Sequence, residues 1–257
     1  TRLKAAVILH TGQEETLFEE LMALATAQEK DEYGLLTAVA EGLVTVDPRL
    51  ARAVVDAMAP KERGDAYARM IQAVAPKNPT CAWLLLGELE RLPADSAQRG
   101  LGIAAKTMIA LGGKDDPSGA LALARRVTGD ARPATLAIAA QYQPPQLALA
   151  LLREAVTSAT RAKEQSRYAA QAYAIDPAVG RELFALARTT LRNAGENARG
   201  DLVDYAFYAA VADPAESRLL LEQACAEELR LAGHDNSGWA LLNLALAMTS
   251  IDVDRAL

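Results

Sequence analysis

The sequence contains few of the residues that point to a disulfide framework, a metal centre or a membrane span. Two cysteines and two histidines occur among 257 residues, too few cysteines for the dense cross-linking of small secreted domains. No uninterrupted apolar run reaches the roughly 18 residues needed to cross a bilayer, so we expect no membrane association. The net charge of −6, from 33 acidic and 27 basic residues, makes nucleic acid an unexpected partner.

Aromatic and β-branched residues are also scarce, whereas alanine is abundant. Aromatic residues make up 5% of the chain and hydrophobic residues 51%, and alanine supplies roughly a fifth of all residues, well above its usual share. Thr, Val and Ile are too scattered to build a strand-rich core. We therefore predict an all-α protein, and the low cysteine content favours a cytoplasmic location.

A recurring dipeptide, most often Asp-Pro, divides the chain into units of similar length. An Asp side chain can accept hydrogen bonds from the first N–H groups of a helix, and Pro suits the first helical position, so each dipeptide predicts a helix start. Its spacing varies from 28 to 39 residues and averages about 34, which is typical of two-helix repeats. The copies are Asp47-Pro48, Asn78-Pro79, Asp116-Pro117, Pro144-Pro145, Asp176-Pro177 and Asp213-Pro214, with a degenerate Asp252-Val253.

The helix that follows each dipeptide, here called helix A, repeats one apolar pattern. The third residue after the proline is always small, and the sixth, seventh and tenth are apolar, which places one stripe on a single helix face. The small residues are Ala51, Ala82, Ala120, Ala148, Gly180, Ser217 and Ala256. We predict that they allow close approach of a neighbouring helix.

The helix that precedes each dipeptide, here called helix B, has its own pattern of a large residue followed by a small or aliphatic one. The pairs lie nine and eight residues before the proline position: Val39-Ala40, Met70-Ile71, Met108-Ile109, Leu136-Ala137, Tyr168-Ala169, Tyr205-Ala206 and Leu244-Ala245. A single A–B hairpin cannot bury both stripes, so neighbouring units must stack. We predict one helical-repeat domain over residues 1–257, with about seven repeats that begin near 48, 79, 117, 145, 177, 214 and 253.

These repeats resemble the α-solenoid families, the HEAT, armadillo and tetratricopeptide types, over essentially the whole chain. The period and the proline between helix B and helix A are similar to tetratricopeptide repeats, but the Trp, Leu-Gly, Tyr and Phe pattern of that family is missing. Units such as 176–187 look closer to degenerate HEAT-like repeats. The resemblance implies a right-handed solenoid that serves as a binding scaffold for proteins or peptides, without catalytic residues or cofactors.

The ends of the chain suggest a piece of a longer solenoid. Residues 251–257 have the pattern of another helix A but stop before its apolar stripe, whereas the terminal repeats of a complete solenoid usually have a polar outer face. We interpret the chain as part of a longer solenoid, and the alternative is a natural half-helix that caps the array.

No sequence motif predicts catalysis or metal binding. His10 and His234 lie far apart in the sequence, and neither Cys81 nor Cys225 has a CxxC partner. Gly112-Gly113-Lys114 lacks the Ser or Thr and the earlier Gly of a phosphate-binding loop, and we interpret it as a connection between helices. We therefore predict that the protein is not an enzyme.

A polar row on helix B is the candidate partner-binding surface. Ten residues before the proline lie Arg69, Thr107, Thr135, Arg167, Asp204 and Asn243. Gln171 and Tyr208 follow Arg167 and Asp204 by four residues and therefore share their helix faces. We select Arg167, Gln171, Asp204 and Tyr208 as the candidate site, because aromatic residues cluster between 142 and 208 and are enriched at interface centres. The alternative is a plain solvent-exposed ridge.

Two classes of function follow from these patterns. The first is a non-enzymatic scaffold that binds a protein or peptide. The bias toward Ala, and toward Arg over Lys, is typical of GC-rich bacterial genomes, so we interpret this scaffold as a regulatory or sensor arm of a larger bacterial protein. The second is a helical-repeat enzyme, or a solenoid that grips nucleic acid, with its site on the concave face.

Overall fold

The computed structural model describes residues 16, 19–20, 23, 34–195 and 199–231, and the regular structure in them is helical. No β-strand occurs in these residues, which confirms the all-α prediction. A short 3-10 helix, Gly129–Ala131, precedes α7. The α-helices are α1 (Leu35–Val44), α2 (Pro48–Ala57), α3 (Pro60–Val74), α4 (Pro79–Glu90), α5 (Ala94–Gly112), α6 (Pro117–Arg126), α7 (Arg132–Ala140), α8 (Pro145–Ser158), α9 (Ala162–Ile175), α10 (Pro177–Ala194), α11 (Arg199–Ala209) and α12 (Pro214–Leu231).

The dipeptides start helices in the way that the sequence predicts. In α4 the Asn78 side chain accepts a hydrogen bond from the Cys81 N–H at 3.0 Å, and in α6 Asp116 accepts one from the Gly119 N–H at 2.8 Å. Asp47, Asp176 and Asp213 cap α2, α10 and α12 in the same way. Pro144 has no side-chain acceptor, so α8 begins without this cap.

The structure buries the apolar stripe that was predicted for helix A. The A helices among the described residues are α2, α4, α6, α8, α10 and α12. All six small residues after the described prolines are buried, among them Gly180 and Ser217. The large residues that follow are buried too, except Leu220, which is half-buried. Ala256, the seventh small residue, lies outside the described residues.

Helix B follows its predicted pattern as closely. Met70, Met108, Leu136, Tyr168 and Tyr205 are at most 5% exposed, so the large position of these helices points into the core. The smaller partners that follow them are also buried. Val39 in α1 is only half-buried, and the pair Leu244-Ala245 lies outside the described residues.

The packing divides the chain into two compact units that separate between Thr135 and Leu136. In the first unit α1 packs against α2 and α3, and α3 packs against both α4 and α5. The contact between α3 and α5 requires two glycines, since a Cβ on Gly100 would overlap the Gly64 carbonyl and one on Gly64 would overlap that of Ser96.

The helices of the second unit pack in the same way, each central helix against its neighbours in the chain and against the helix after the next one. Helix α9 packs against α8 and α10 on either side along the chain and also against α11. At the start of α10, Gly180 lies so close to Tyr173 of α9 that a Cβ would overlap the Tyr173 backbone. The predicted close approach at the small position of helix A is therefore present at this contact.

Arg–Glu ion pairs link successive A helices within each unit. In the first unit Arg52 of α2 pairs with Glu88 of α4 at 3.4 Å, and Glu90 of α4 pairs with Arg126 of α6. In the second unit Arg153 of α8 pairs with Glu182 of α10 at 3.0 Å, and Arg188 of α10 pairs with Glu216 of α12. Exposed pairs contribute up to about 1 kcal/mol each, so they add little to the stability that the buried stripes provide.

Some helix boundaries differ from those expected from the sequence. The residues Pro93 to Ser96 and Gly129 to Pro133 predict breaks between helices. The first break is shorter than this, because α5 starts at Ala94, and Pro133 lies inside α7 rather than in a connection. Pro is tolerated there because the first helical turn needs no N–H donor. None of the described helices is long and apolar enough to span a bilayer.

Candidate partner-binding site

The four predicted site residues lie on two neighbouring helices of the second unit. Arg167 and Gln171 are on α9, Asp204 and Tyr208 are on α11, and these two helices pack against each other. Arg167 is exposed and the other three are half-buried. The structure therefore brings the four residues onto adjacent helices, at positions that solvent reaches at least in part.

Arg167 is held against a buried tyrosine. Its guanidinium carbon lies 5.1 Å from the centre of the Tyr168 ring, and its Nη2 donates a hydrogen bond to the Tyr168 hydroxyl at 3.3 Å. Burial raises the pKa of Tyr168, an effect that the Arg167 charge and this hydrogen bond oppose. The contact with the ring restricts the Arg167 side chain, so less conformational entropy is lost when it binds an acceptor.

Asp204 interacts electrostatically with an ion pair that joins the N-terminal ends of α9 and α11. Arg161, which precedes α9, donates a hydrogen bond to Asp201 of α11 at 2.6 Å. Asp201 raises the pKa of Arg161, first through this hydrogen bond and then through its charge, and Asp204 contributes in the same direction. The exposed edge of α9 and α11 thus carries both signs of charge.

Tyr208 has an aromatic neighbour that the sequence-based selection left out. The Phe207 and Tyr208 rings meet edge to face, with centroids 5.2 Å apart and planes 79° apart. Phe207 is 43% exposed, a high fraction for so large an apolar side chain. Aromatic side chains with exposed area are common anchors at protein interfaces, and Phe207 belongs to the candidate surface on this ground.

Gln171 lines a pocket as well as belonging to the polar row. Its side-chain oxygen is buried and accepts no hydrogen bond from the described residues. The pocket has a volume of about 410 Å³, within the range of small-ligand sites. It is lined by Ala140, Gln141, Gln143, Pro145, Ala148, Leu152, Gln171, Ala174 and Ile175.

The remaining described members of the polar row do not form one exposed ridge. Arg69 is exposed, Thr107 is half-buried and Thr135 is fully buried. The hydroxyl groups of Thr107 and Thr135 donate to backbone carbonyls one turn earlier, at 3.2 Å and 2.7 Å. A Thr hydroxyl bonded to its own helix can be buried at little cost, which explains how this position is polar without facing solvent. Asn243 lies outside the described residues.

Other reactive side chains in the described residues form no cluster with a chemical role. No group of three or more His, Cys, Asp or Glu in this part of the chain could hold a metal ion. Cys81 and Cys225 are free and half-buried, and burial raises the pKa of the Cys81 thiol. Burial, followed by the charge of Glu216, raises the pKa of Tyr205 to about 12, so this buried tyrosine stays neutral.

Comparison of the chain with protein-family models, curated proteins and solved structures found no match. The resemblance to α-solenoid families therefore stays a prediction from the sequence pattern.

Proposed function

We propose that this chain is a non-enzymatic scaffold that binds a protein or peptide along helices α9 and α11. The observation that carries the proposal is the placement of Arg167, Gln171, Asp204 and Tyr208 on two packed neighbours with solvent access. Packed helices lie roughly 8–10 Å apart, a spacing that an extended peptide or a partner helix can bridge. The proposal includes a regulatory or sensor role within a larger bacterial protein in the cytoplasm.

Each side chain of the candidate surface has a role that follows from its surroundings. Arg167, restricted by its contact with Tyr168, donates charge-assisted hydrogen bonds to a carboxylate or carbonyl of the partner. Asp204 and Gln171 set the orientation of the partner through further hydrogen bonds. Tyr208 and Phe207 provide the apolar contact area, which gives most of the affinity at typical interfaces.

The architecture that we propose for the scaffold is an α-solenoid of about seven stacked A–B repeats. The recurring helix caps, the buried A and B stripes and the ion pairs between successive A helices support it within each unit. Stacked repeats align the B helices side by side, so a partner bound at α9 and α11 can extend along neighbouring repeats.

Site-specific photo-crosslinking tests where a partner binds. A photoreactive phenylalanine analogue replaces Tyr208 in one variant and Trp83 of α4, which is 49% exposed, in a control variant. After irradiation in cells that contain the native partners, we expect one dominant crosslinked protein from position 208 that is absent from position 83. The same crosslinked products from both positions would show non-specific capture and contradict the proposed surface.

A further inference from the structure

A charged row and an exposed apolar row cross the neighbouring helices α9 and α11. Arg167 and Asp204 form the charged row, since each lies ten residues before the proline that starts the next helix. Ile175, the last residue of α9, and Val211, two residues after α11, form the apolar row and are 41% and 55% exposed. Phe207 lies between the two rows and is 43% exposed. Three of the eight large apolar side chains that are exposed in the described residues therefore lie at this surface.

The two helices run in the same direction, so the two rows are parallel to each other. Arg161, which directly precedes α9, donates a hydrogen bond to Asp201 in the first turn of α11, and this contact places the two N-terminal ends together. Each apolar residue follows the charged residue of its own helix by seven or eight positions, or about 10–12 Å at 1.5 Å per residue. A helix with its side chains is about 10–12 Å in diameter, so one helix laid across α9 and α11 reaches both rows.

A partner helix fits this surface better than an extended peptide, because α9 and α11 offer few groups that can bind a peptide backbone. An extended chain needs a partner for each N–H and C=O group that binding removes from water. The backbone groups in the middle of α9 and α11 already bond within their own helices, the two helices contain no asparagine, and the side-chain oxygen of Gln171 is buried. A helix satisfies its own backbone and contributes only side chains to the contact.

The charges of Arg167 and Asp204 determine which residues of a partner face them. Neither side chain belongs to an ion pair with another described residue, and solvent reaches both. An acidic residue opposite Arg167 and a basic residue opposite Asp204 are attracted, whereas the reverse order places like charges together. Packed helices lie roughly 8–10 Å apart, and residues seven positions apart on one face of a helix are about 10 Å apart.

We infer that the partner is an amphipathic α-helix that lies across α9 and α11, with an acidic and a basic residue about seven positions apart that face Arg167 and Asp204. Its apolar stripe contacts Phe207, Ile175 and Val211. The inference rests on the proposed function, because it names the kind of partner that the same surface binds.

Two synthetic peptides of identical composition test the order of the charges. Each has about 18 residues, a leucine stripe at helical spacing and, on one flank of that stripe, a glutamate and a lysine seven residues apart. The peptides differ only in which of the two charges comes first. The apolar row lies on one side of the charged row and fixes the direction of the bound helix, so only one order pairs opposite charges. By fluorescence anisotropy, the full chain should bind one peptide at least about fivefold more tightly than the other.

Exchange of the two charges on the chain should exchange the preference. Arg167→Glu/Asp204→Lys keeps the net charge and the apolar row, so this variant should prefer the other peptide by a similar factor. Circular dichroism should show the helix content of the parent, as expected for changes at exposed or half-buried positions.

A second pair of variants tests the apolar row. Ile175→Ser/Val211→Ser should weaken the binding of both peptides at least about fivefold, because their leucines lose apolar contact area. The control Trp83→Ser/Leu84→Ser also removes two exposed apolar side chains, but from α4 in the first unit. It should leave both affinities unchanged.

Three results would overturn the inference. The first is equal affinity of the parent for the two peptides, or no binding of either. The second is the same preference in the parent and the charge-exchanged variant. The third is unchanged affinity when a central proline, which breaks a helix, is placed in the preferred peptide. Photo-crosslinking at position 208 tests the proposed function independently, so a specific crosslink together with any of these results would reject the helical partner and retain the surface.

Discussion

Replacement of Gly180 by alanine tests the close approach of α9 and α10. In an exposed helix interior, Gly→Ala stabilises by about 0.5–1 kcal/mol because alanine loses less backbone entropy on folding. At Gly180 the added Cβ would lie 2.7 Å from the Tyr173 backbone nitrogen and would overlap its Cα. The two helices must move apart, and overpacking of this kind costs about 1–3 kcal/mol.

We expect Gly180→Ala to lower the free energy of unfolding by about 1–2 kcal/mol after the gain in helix propensity is included. Movement of α10 would also pull Arg181 away from the Tyr173 ring, whose centre lies 5.6 Å from the guanidinium carbon. Gly87→Ala in α4 is the matched control, because nothing lies within 4 Å of its added Cβ. That change should stabilise by about 0.5–1 kcal/mol.

The assay is urea unfolding followed by circular dichroism, with the transition midpoint and the m-value measured for both variants and the parent. A lower midpoint for Gly180→Ala and a higher one for Gly87→Ala, at equal m-values, would agree with the packing described here. Equal stabilisation by both changes would refute it, since Gly180 would then face open space.

Three further sets of changes test the small positions, the helix caps and a buried tyrosine. Ala120→Leu should cost about 1–3 kcal/mol in urea unfolding, and Ala148→Leu less, because Ala148 borders the 410 Å³ pocket; equal stability of Ala120→Leu and the parent would contradict the buried position. Asp116→Ala should cost about 1 kcal/mol through loss of the α6 cap, whereas the neighbouring Asp115→Ala should change the melting temperature little. Since the pKa of Tyr205 is raised from 10 to about 12, unfolding releases its proton between these values and stability falls as the pH rises. The Tyr205→Phe variant should lose up to about 2–3 kcal/mol less unfolding free energy than the parent over this pH range. Equal pH profiles of stability for the two proteins would contradict the raised pKa of Tyr205.

The sequence predicted the fold well where a local rule determines the outcome. Asp or Asn before Pro caps a helix through contacts within three residues, so the starts of α2, α4, α6, α10 and α12 followed from the sequence. The buried helix faces could be predicted equally well, because burial of one face of a helix requires a fixed spacing of apolar residues. Gly180 and the alanines at the same position are buried as the pattern predicted.

Features that depend on contacts distant in sequence could not be predicted. The Gly64–Gly100 contact joins two helices through backbone atoms, and neither glycine belongs to the repeat pattern. The ion pair between Arg52 and Glu88 also has no fixed position within its repeats. Thr135 shows a different limit: its hydroxyl donates to the Ala131 carbonyl four residues earlier, so a polar residue in the row does not by itself indicate exposure.

The site residues themselves were only partly evident from the sequence. A four-residue spacing placed Arg167 and Gln171 on one face of α9, as helix geometry requires. Their surroundings were not evident: the burial of Tyr168 beside Arg167 and the exposure of Phe207 depend on how neighbouring helices pack. An Arg167→Ala variant should lose about 0.5–1 kcal/mol of stability with the Tyr168 contact, the usual contribution of an exposed cation–π pair.

The most direct test of the proposed function is a calorimetric titration of the crosslinked partner with the parent and the Arg167→Ala/Tyr208→Ala variant. The variant should remain folded, with at most about 2 kcal/mol lost through the Tyr168 and Phe207 contacts. Its affinity for the partner should fall at least about tenfold, or 1.4 kcal/mol. The control Trp83→Ala/Arg125→Ala, which also removes one aromatic and one arginine, should bind like the parent. Equal affinities for all three proteins would contradict a partner-binding surface on α9 and α11.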